Sequence, residues 1–278
     1  MQSLKYSLTQ NIFAAEIKNV KSFYTIVKAI NFKENATFRA MKEGIKITVE
    51  DSKCIQCSAY IPSDCFSLYH LNTNNCDENE IRFMLNLNIF TECLNMLPLG
   101  EDFCTLKMYF KNERSPLILI LEQHSEDDML IECSLKTIDC EELLDFTSTE
   151  SSVLNLVIFK GDILTTLFSD ADNNSDYVEI YLSPETPHMK ITFKGKTEES
   201  QVEIPNTSDA IETFRCSTSA TSRYKNSFIK LMTRGLKLSN KVSLKTDEDG
   251  LLSIQIMIVT EHDTMYIQYF ITPLIDEE

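Results

Sequence analysis

The alternation of hydrophobic and polar residues is clearest between Ser222 and Phe270. This stretch opens with SRYKNSFIKLMTRGLKL, where Tyr224, Phe228 and Met232 recur at helical spacing, together with Leu231, and basic or small polar residues fall on the other side. The pattern predicts an amphipathic helix with a basic outer face. A short strand, AIETFRCS, precedes it, and three strand-like runs follow: KVSLKTDED, LLSIQIMIVT and TMYIQYFI.

The other three quarters of the chain repeat this order of a strand, a helix and three or more strands. Their predicted helices are NVKSFYTIVKAI, LNIFTECLNML and GDILTTLFSDA. In the first of these helices the residues predicted to point inward are Val20, Phe23, Tyr24, Val27 and Ile30. In the second helix Leu87, Phe90, Leu94 and Leu97 are predicted to point inward, and Asn88, Thr91, Glu92 and Asn95 outward. Four copies of one plan without residue-level identity predict a structural repeat.

A carboxylate-rich segment, TIDCEELLDFTSTES, separates the two halves and lacks strand alternation. A chain of 278 residues is long for a single core and fits two domains. We therefore expect a first domain at 1–137, an interdomain connector at 138–150 and a second domain at 151–278. Each domain is expected to be α+β, with its two helices on one side of antiparallel sheets.

Composition narrows the class of protein. The first residues are interrupted by polar side chains, and no apolar run approaches the ~20 residues of a membrane helix, so we expect a soluble, intracellular protein. The nine cysteines are scattered through apolar patterns, which favours reduced core thiols. Cys54 and Cys57 have CxxC spacing but no second pair or histidine pair, so no metal site or cofactor is expected.

The net charge of -16 argues against nonspecific binding of nucleic acid by the surface as a whole. Any such function needs its basic residues concentrated in one place. The first predicted helix contributes Lys18, Lys21 and Lys28 to its outer side, and the fourth contributes Arg223, Lys230 and Arg234. The second and third carry Glu92 and Asp162 among neutral polar residues, so the four outer faces together have a charge of about +4, six basic groups against two acidic ones. The alternative for any one helix is an ordinary solvated basic face.

A protein of two such doubled units resembles the sliding clamps of DNA replication typified by proliferating cell nuclear antigen. The stretches AINFKENATFRAMKEGIKITVEDSKCIQCSAYIP and RYKNSFIKLMTRGLKLSNKVSLKTDEDGLLSIQIMI are similar to the Rad-one subunits of the nine-one-one checkpoint clamp. A weaker likeness surrounds EELLDFTST, and YIQYFITPLIDEE looks like the closing strand and acidic tail of a clamp.

This resemblance implies a DNA-clamp fold in a heterotrimeric ring, with Rad-nine and Hus-one type subunits as partners and the helices lining the hole. It implies action in the nucleus, loading at damaged DNA by a checkpoint clamp loader, recruitment of other proteins and no catalysis. The residues facing double-stranded DNA, bound without sequence specificity, would be Lys18, Lys21, Lys28, Arg223, Lys230 and Arg234.

Two further sets of residues are expected at the surfaces of such a ring. Edge strands that pair between subunits would supply Leu130, Ile131, Glu132, Cys133 and Ser134 from one edge and Gln201, Val202, Glu203 and Ile204 from the other. The connector would present Ile138, Glu142, Leu143, Leu144 and Phe146. It is more acidic than apolar, so it is either a docking site for partner peptides or a solvated linker.

Two alternatives stay open from the residues alone. A replicative homotrimeric clamp shares the fold and differs in its partners. A 3'-to-5' exonuclease needs convergent carboxylates for two metal ions, and the acidic clusters Glu126-Asp127-Asp128 and Asp247-Glu248-Asp249 lie at predicted hairpin tips. No nucleotide-binding glycine loop occurs in the sequence, and the four histidines stand alone.

Overall fold

The computed structural model describes residues 10–18, 20–73, 79–96, 104–123, 129–146, 153–161, 163–169, 175–261 and 263–275. The chain folds into two compact units. Unit 1 comprises Met1–Val49, Ser58–Glu142 and Thr260–Met265, and unit 2 comprises Glu50–Cys57, Leu143–Val259 and Tyr266–Glu278. The domain bounds expected from the sequence, 1–137 and 151–278, stay predictions.

The first half of the chain contains two successive strand-helix-strand groups. Its elements are β1 (Phe13–Ile17), α1 (Val20–Ile30), β2 (Asn35–Met41), β3 (Gly44–Asp51), β4 (Ile55–Pro62), a short 3-10 helix (Ser63–Cys65), β5 (Leu68–Leu71), β6 (Ile81–Asn86), α2 (Leu87–Leu94), β7 (Cys104–Phe110), β8 (Leu117–Gln123) and β9 (Met129–Leu135).

The second half repeats this order. Its elements are β10 (Val153–Lys160), α3 (Ile163–Ser169), β11 (Ser175–Leu182), β12 (Met189–Gly195), β13 (Glu199–Ile204), β14 (Ile211–Cys216), β15 (Ala220–Lys225), α4 (Asn226–Leu236), β16 (Lys241–Asp247), β17 (Leu252–Val259) and β18 (Thr264–Ile271). The fourfold repeat predicted from the alternation of the sequence is therefore the plan of the chain.

The sheets of the two units have matching strand orders. Unit 1 contains the orders β5-β1-β7-β8-β9 and β4-β3-β2-β6, and unit 2 contains β14-β10-β16-β17-β18 and β13-β12-β11-β15. Neighbouring strands pair antiparallel, for example β8 with β9 and β12 with β13. Each unit thus builds its core between sheets whose inward positions are aliphatic or aromatic.

The two helices of each unit pack side by side, because each buries one apolar stripe and exposes the other face. In unit 1 the ring of Phe23 on α1 meets that of Phe90 on α2 edge to face, 6.2 Å between centroids. In unit 2 the Thr165 hydroxyl of α3 donates to the carbonyl oxygen of Leu236 on α4 over 2.9 Å. The two helices of a unit are therefore direct neighbours.

The fourth helix begins later than the sequence pattern predicted. Residues 220–225 form β15, which pairs with β11, and α4 starts at Asn226. AIETFRCS contains β14, so β15 is the strand that immediately precedes the helix. The buried stripe of α4 is Ile229, Met232 and Leu236, whereas Phe228 and Leu231 are only half-buried. The prediction was wrong here because pairing with β11 overrides a helical spacing that Tyr224 also satisfies.

Two smaller features complete the fold. Eight cysteines of the described part of the chain are free thiols, and Cys57 is completely buried, which raises the pKa of its thiol. Among the helices of the described residues, none combines the length and apolar character that a membrane crossing requires.

Candidate nucleic-acid interface

The outer face of α1 carries two of the predicted cations. Lys21 and Lys28 are exposed, and Lys18 is exposed immediately before the helix. The opposite face buries Val20, Phe23, Val27 and Ile30, as the spacing predicted, together with Ile26. Tyr24, which was also predicted to point inward, is only half-buried. The ammonium group of Lys28 lies 5.4 Å from the centroid of the Tyr24 ring, a cation-π distance that leaves its charge at the surface.

The outer face of α4 carries two more. Arg234 is exposed and Lys230 is half-buried. The helix lies close to the sheet beneath it because residue 235 is glycine, and a Cβ atom there would be 3.1 Å from the Tyr269 hydroxyl and from Ile256 Cδ1. Complete burial raises the pKa of the Tyr269 phenol well above 10.0, and the positive charge of Arg234 partly opposes this.

Arg223 occupies a different element from the one predicted. It lies on β15, and its Nε donates to the Glu179 carboxylate of β11 over 2.9 Å. Its guanidinium carbon is 5.6 Å from the centroid of the Tyr177 ring. Its assignment to the outer face of the fourth helix was therefore wrong, and its contact with DNA stays a prediction.

The faces of α2 and α3 are polar with little charge. On α2, Asn88, Glu92 and the residue that follows the helix, Asn95, are exposed, as predicted. Thr91 is buried, contrary to the prediction: its hydroxyl donates to the Leu87 carbonyl oxygen and accepts from the side chain of Asn31. This local bond satisfies the hydroxyl within the packed helix.

On α3, Thr166 and Ser169 are exposed and Thr165 is bonded to α4. Leu97 and Asp162, which the sequence placed inward and outward respectively, lie outside the described residues.

The two segments predicted to pair between subunits are both edge strands of their sheets. β9 ends the order β5-β1-β7-β8-β9, and β13 ends the order β13-β12-β11-β15. On β9, Leu130 is 43% exposed and Met129 45%. On β13, Gln201 and Glu203 are exposed and their side chains hydrogen-bond to each other. Both strands thus present main-chain groups that another strand could pair with.

Main-chain and side-chain groups of neighbouring strands satisfy parts of the connector backbone. In unit 1 the Ile138 amide donates to the Met84 carbonyl oxygen over 2.8 Å, and Arg82 donates to the carbonyl oxygen of Glu141. In unit 2 the Leu144 amide donates to the carboxylate of Glu50 over 3.0 Å.

Further along, Phe146 stacks on Phe270 with 4.9 Å between centroids, and Gln56 donates to the Leu144 carbonyl oxygen. Leu143 is half-buried and Glu142 exposed. The sequence did not single out Glu50, Gln56 or Arg82. The sequence signal that could have identified them is that each is a polar residue on a predicted strand whose neighbouring position is apolar.

The acidic cluster Asp247-Glu248-Asp249 is part of a hairpin turn. Asp247 is only 6% exposed, and its Oδ1 accepts the amide hydrogen of Leu251 over 2.8 Å at the tip of the β16–β17 hairpin. The cluster Glu126-Asp127-Asp128 lies outside the described residues. Within the described ranges, no three histidine, cysteine or acidic side chains converge as a metal site would require.

The sequence is similar to that of known proteins over almost its whole length. The family model described as "Repair protein Rad1/Rec1/Rad17" matches residues 12–258. The chain is 35% identical over 273 residues to the mouse "Cell cycle checkpoint protein RAD1", covering 97% of this chain and 94% of the mouse protein. It is 29% identical over 269 residues to the Drosophila melanogaster "DNA repair protein Rad1", covering 96% and 95%.

Among solved structures, the proliferating cellular nuclear antigen of Entamoeba histolytica superposes with a TM-score of 0.75 at 17% identity, covering 95% of this chain and all of the other. The fold is therefore the clamp fold expected from the fourfold repeat. With a family model spanning most of its length and relatives matched almost end to end, the chain belongs to the Rad1 family of repair and checkpoint proteins.

Proposed function

We infer that this protein is a subunit of a DNA-damage checkpoint clamp that encircles duplex DNA and recruits other proteins. Family membership supports the checkpoint role, since the relatives are named as checkpoint and repair proteins. The observation that carries the mechanism is the exposure of Lys21 and Lys28 on α1 and of Arg234 on α4, in a chain whose net charge is -16.

Sliding on DNA requires contacts with phosphates and none with base edges. Long cationic side chains on rigid helices suit this task, because the phosphate term is independent of sequence. Lys18, Lys21 and Lys28 would supply one part of the inner wall, and Lys230 and Arg234 another. Arg223 would join them from the end of β15, while the polar faces of α2 and α3 line the remainder.

The subunit is expected to pair with unlike neighbours through its two edge strands. β9 and β13 would each add a strand of a neighbouring subunit to their sheets, with Rad-nine and Hus-one type subunits as the neighbours. Both strands already belong to antiparallel sheets, so the added strand extends an existing ladder. A dedicated loader would open the ring at damaged DNA, and the site of action would be the nucleus.

The connector offers a small surface on which a partner peptide would dock. Ile138 is 43% exposed beside β6, and Glu142 adds negative charge. A partner peptide that docks here would place an apolar side chain against Ile138. The backbone bonds to Met84 and Arg82 hold the segment ready without further ordering.

The decisive experiment removes the helix cations from the assembled complex. Replacing Lys21, Lys28, Lys230 and Arg234 with alanine should weaken retention on circular duplex DNA to a similar extent for all sequences. The salt dependence of binding should become shallower, by roughly 0.9 in slope for each phosphate that the protein no longer neutralises. Retention is measured by copurification of DNA and protein across a salt series.

A matched variant tests whether charge alone is responsible. Lys42, Lys111, Lys160 and Lys196 are exposed outside the four helices, and replacing them changes the net charge equally. Retention should stay near that of the unaltered complex. Equal losses in the two variants would show that the helix faces are not the DNA-facing surface.

The two alternative functions have their own tests. A homotrimeric clamp would migrate at three times the 31.9 kDa of the chain when purified alone, whereas a subunit of a mixed ring should not. An exonuclease would hydrolyse labelled DNA with Mg²⁺ and lose that activity on replacing Glu248 and Asp249. We expect no hydrolysis, because Asp247 is committed to the hairpin turn.

A further inference from the structure

Three cationic side chains lie in one row across β6, β2 and β3 of unit 1. In the sheet register Arg39 lies directly opposite Arg82 on one side and Lys46 on the other. Neighbouring strands are about 5 Å apart, so the row spans roughly 10 Å between the outer Cα atoms. The ring of Tyr60 on β4 continues it, with its centroid 5.1 Å from the Lys46 ammonium nitrogen.

Placing like charges directly opposite one another destabilises a sheet. One carboxylate compensates in part: Glu80 accepts from Arg39 Nε over 2.9 Å and from its Nη2 over 2.7 Å. Arg82 donates instead to a neutral acceptor, the main-chain oxygen of Glu141. Three positive groups and one negative group give the cation row with Glu80 a charge of +2, in a chain of -16.

The row lies on the face of the sheet away from α2. Consecutive residues of a strand point to opposite faces, so Arg39 and Phe38 are on opposite sides of β2. Phe38 packs against Phe90 of α2, with 5.1 Å between ring centroids, and stacks on Phe83, the neighbour of Arg82 on β6. If the helix faces take the duplex, as our proposed function requires, the row can serve a different anion.

The border of the row limits what that anion can be. A cavity of about 940 Å³ adjoins it at Glu80, and its lining places three carboxylates, Glu43, Asp64 and Glu80, against one ammonium group, that of Lys42. These carboxylates would repel an extended polyanion such as a nucleic acid, which needs a longer basic stripe. A short segment with one concentrated charge fits within the row.

We propose that Arg82, Arg39 and Lys46 form a docking site for a phosphorylated acidic segment of a partner protein. A guanidinium presents donors in a planar fork that matches phosphate oxygens, and such charge-assisted bonds are the strong ones. A phosphate between Arg82 and Arg39 with a flanking carboxylate at Lys46 would relieve the repulsion along the row. The site would give the recruitment role of the proposed function, on which this inference rests, a phosphorylation-dependent partner.

The test measures binding of the full chain to a fluorescein-labelled peptide with one phosphoserine flanked by aspartates, and to its unphosphorylated counterpart. The phosphopeptide should bind at least about tenfold more tightly. Replacing Arg82 and Lys46 together with glutamine should lower its affinity by about tenfold, while the charge-preserving pair Arg82→Lys and Lys46→Arg should keep most of it. Arg39 is left in place because it neutralises Glu80.

Thermal unfolding of each variant accompanies the titration, and a variant that unfolds early is replaced by the single substitution Lys46→Gln. Equal binding of the two peptides, or an affinity unchanged by the glutamine substitutions, would overturn the proposal. Competition by heparin as effective as by the phosphopeptide itself would also overturn it, since the surface would then be a nonspecific polyanion site. The variant lacking the four helix cations should bind the phosphopeptide normally, which separates this site from the failure or success of the DNA-encircling function.

Discussion

The hydroxyl of Tyr224 donates a hydrogen bond of 2.7 Å to the carbonyl oxygen of Gly250. Tyr224 is completely buried on β15, and Gly250 is at the tip of the β16–β17 hairpin with φ at +78°. A Cβ atom on Gly250 would lie 2.6 Å from the Ser222 hydroxyl oxygen, so the hairpin approaches β15 closely. The bond thus fixes the strand that leads into the basic helix α4.

Replacing Tyr224 with phenylalanine should lower the free energy of unfolding by about 1 kcal/mol, because a part-buried carbonyl oxygen loses its partner. Urea unfolding followed by circular dichroism measures this. The matched variant Tyr177→Phe keeps the ring beside Arg223 and should change stability by less than about 0.5 kcal/mol. Equal effects of the two variants would contradict the role assigned to the Tyr224 hydroxyl.

Gly44 is held tightly against the neighbouring backbone. Its φ is +142°, and a Cβ atom would lie 2.1 Å from the Ile61 carbonyl oxygen. Gly44→Ala should therefore destabilise the chain by roughly 2 kcal/mol or more, through backbone strain and displacement of β4. Gly161 has φ at +69°, but a Cβ atom there would meet nothing within 4 Å, so Gly161→Ala should cost clearly less. The two urea midpoints decide between these expectations.

Stability should fall in alkali. Burial, aided by the neighbouring Asp263 carboxylate, raises the pKa of Cys65 from 9.0 to about 12. Burial, aided by the Cys133 thiol, raises the pKa of Cys93 to about 12 as well. Above pH about 9 the unfolded chain loses thiol protons that the folded chain retains, so the free energy of unfolding declines as pH rises from about 9 towards 12.

Urea titrations over this pH range measure the decline. The double variant Cys65→Ala and Cys93→Ala should show a shallower one, because two of the titrating groups are gone. Some slope should persist, since burial also raises the pKa of Tyr224 and of Tyr269. If the free energy of unfolding of the double variant declined with pH as steeply as that of the unaltered chain, groups other than Cys65 and Cys93 would cause the alkaline decline.

The edge strands provide a test of assembly. Leu130→Glu on β9 and Val202→Glu on β13 should each weaken association with neighbouring subunits while leaving the chain folded, because a charge would be buried without a partner at the junction. Copurification with the other subunits measures association. Val259 is 46% exposed at the end of β17, and Val259→Glu serves as the control. If both edge variants associated fully with the other subunits, β9 and β13 would not be the strands at the junctions.

Local periodicity predicted the repeat well. Val20, Phe23 and Val27 on α1 are buried as their spacing required, and so are Phe90 and Leu94 on α2. Such positions depend on neighbours three or four residues away, which the sequence displays directly.

Local periodicity could not predict the cation row or the residue at which α4 begins. Arg39, Arg82 and Lys46 come from three different strands and meet only through the strand register. Ser222 to Lys225 satisfy both strand and helix patterns, and pairing with β11 decided between them. Nothing in local spacing specifies which strand lies beside which.

The two outer edges of the sheets are chemically unlike, and this has a consequence for assembly. β9 exposes Met129 and Leu130 beside a single carboxylate, Glu132, whereas β13 exposes Glu199, Gln201 and Glu203. A twofold contact would match each edge with itself and set like charges opposite one another on β13. In the proposed ring, β9 of one molecule would therefore pair head-to-tail with a β13-like strand of the next. Head-to-tail joining gives a closed assembly a sense of rotation and two distinguishable faces. Proteins that act on one side of a DNA lesion would then always meet the same face of the assembly.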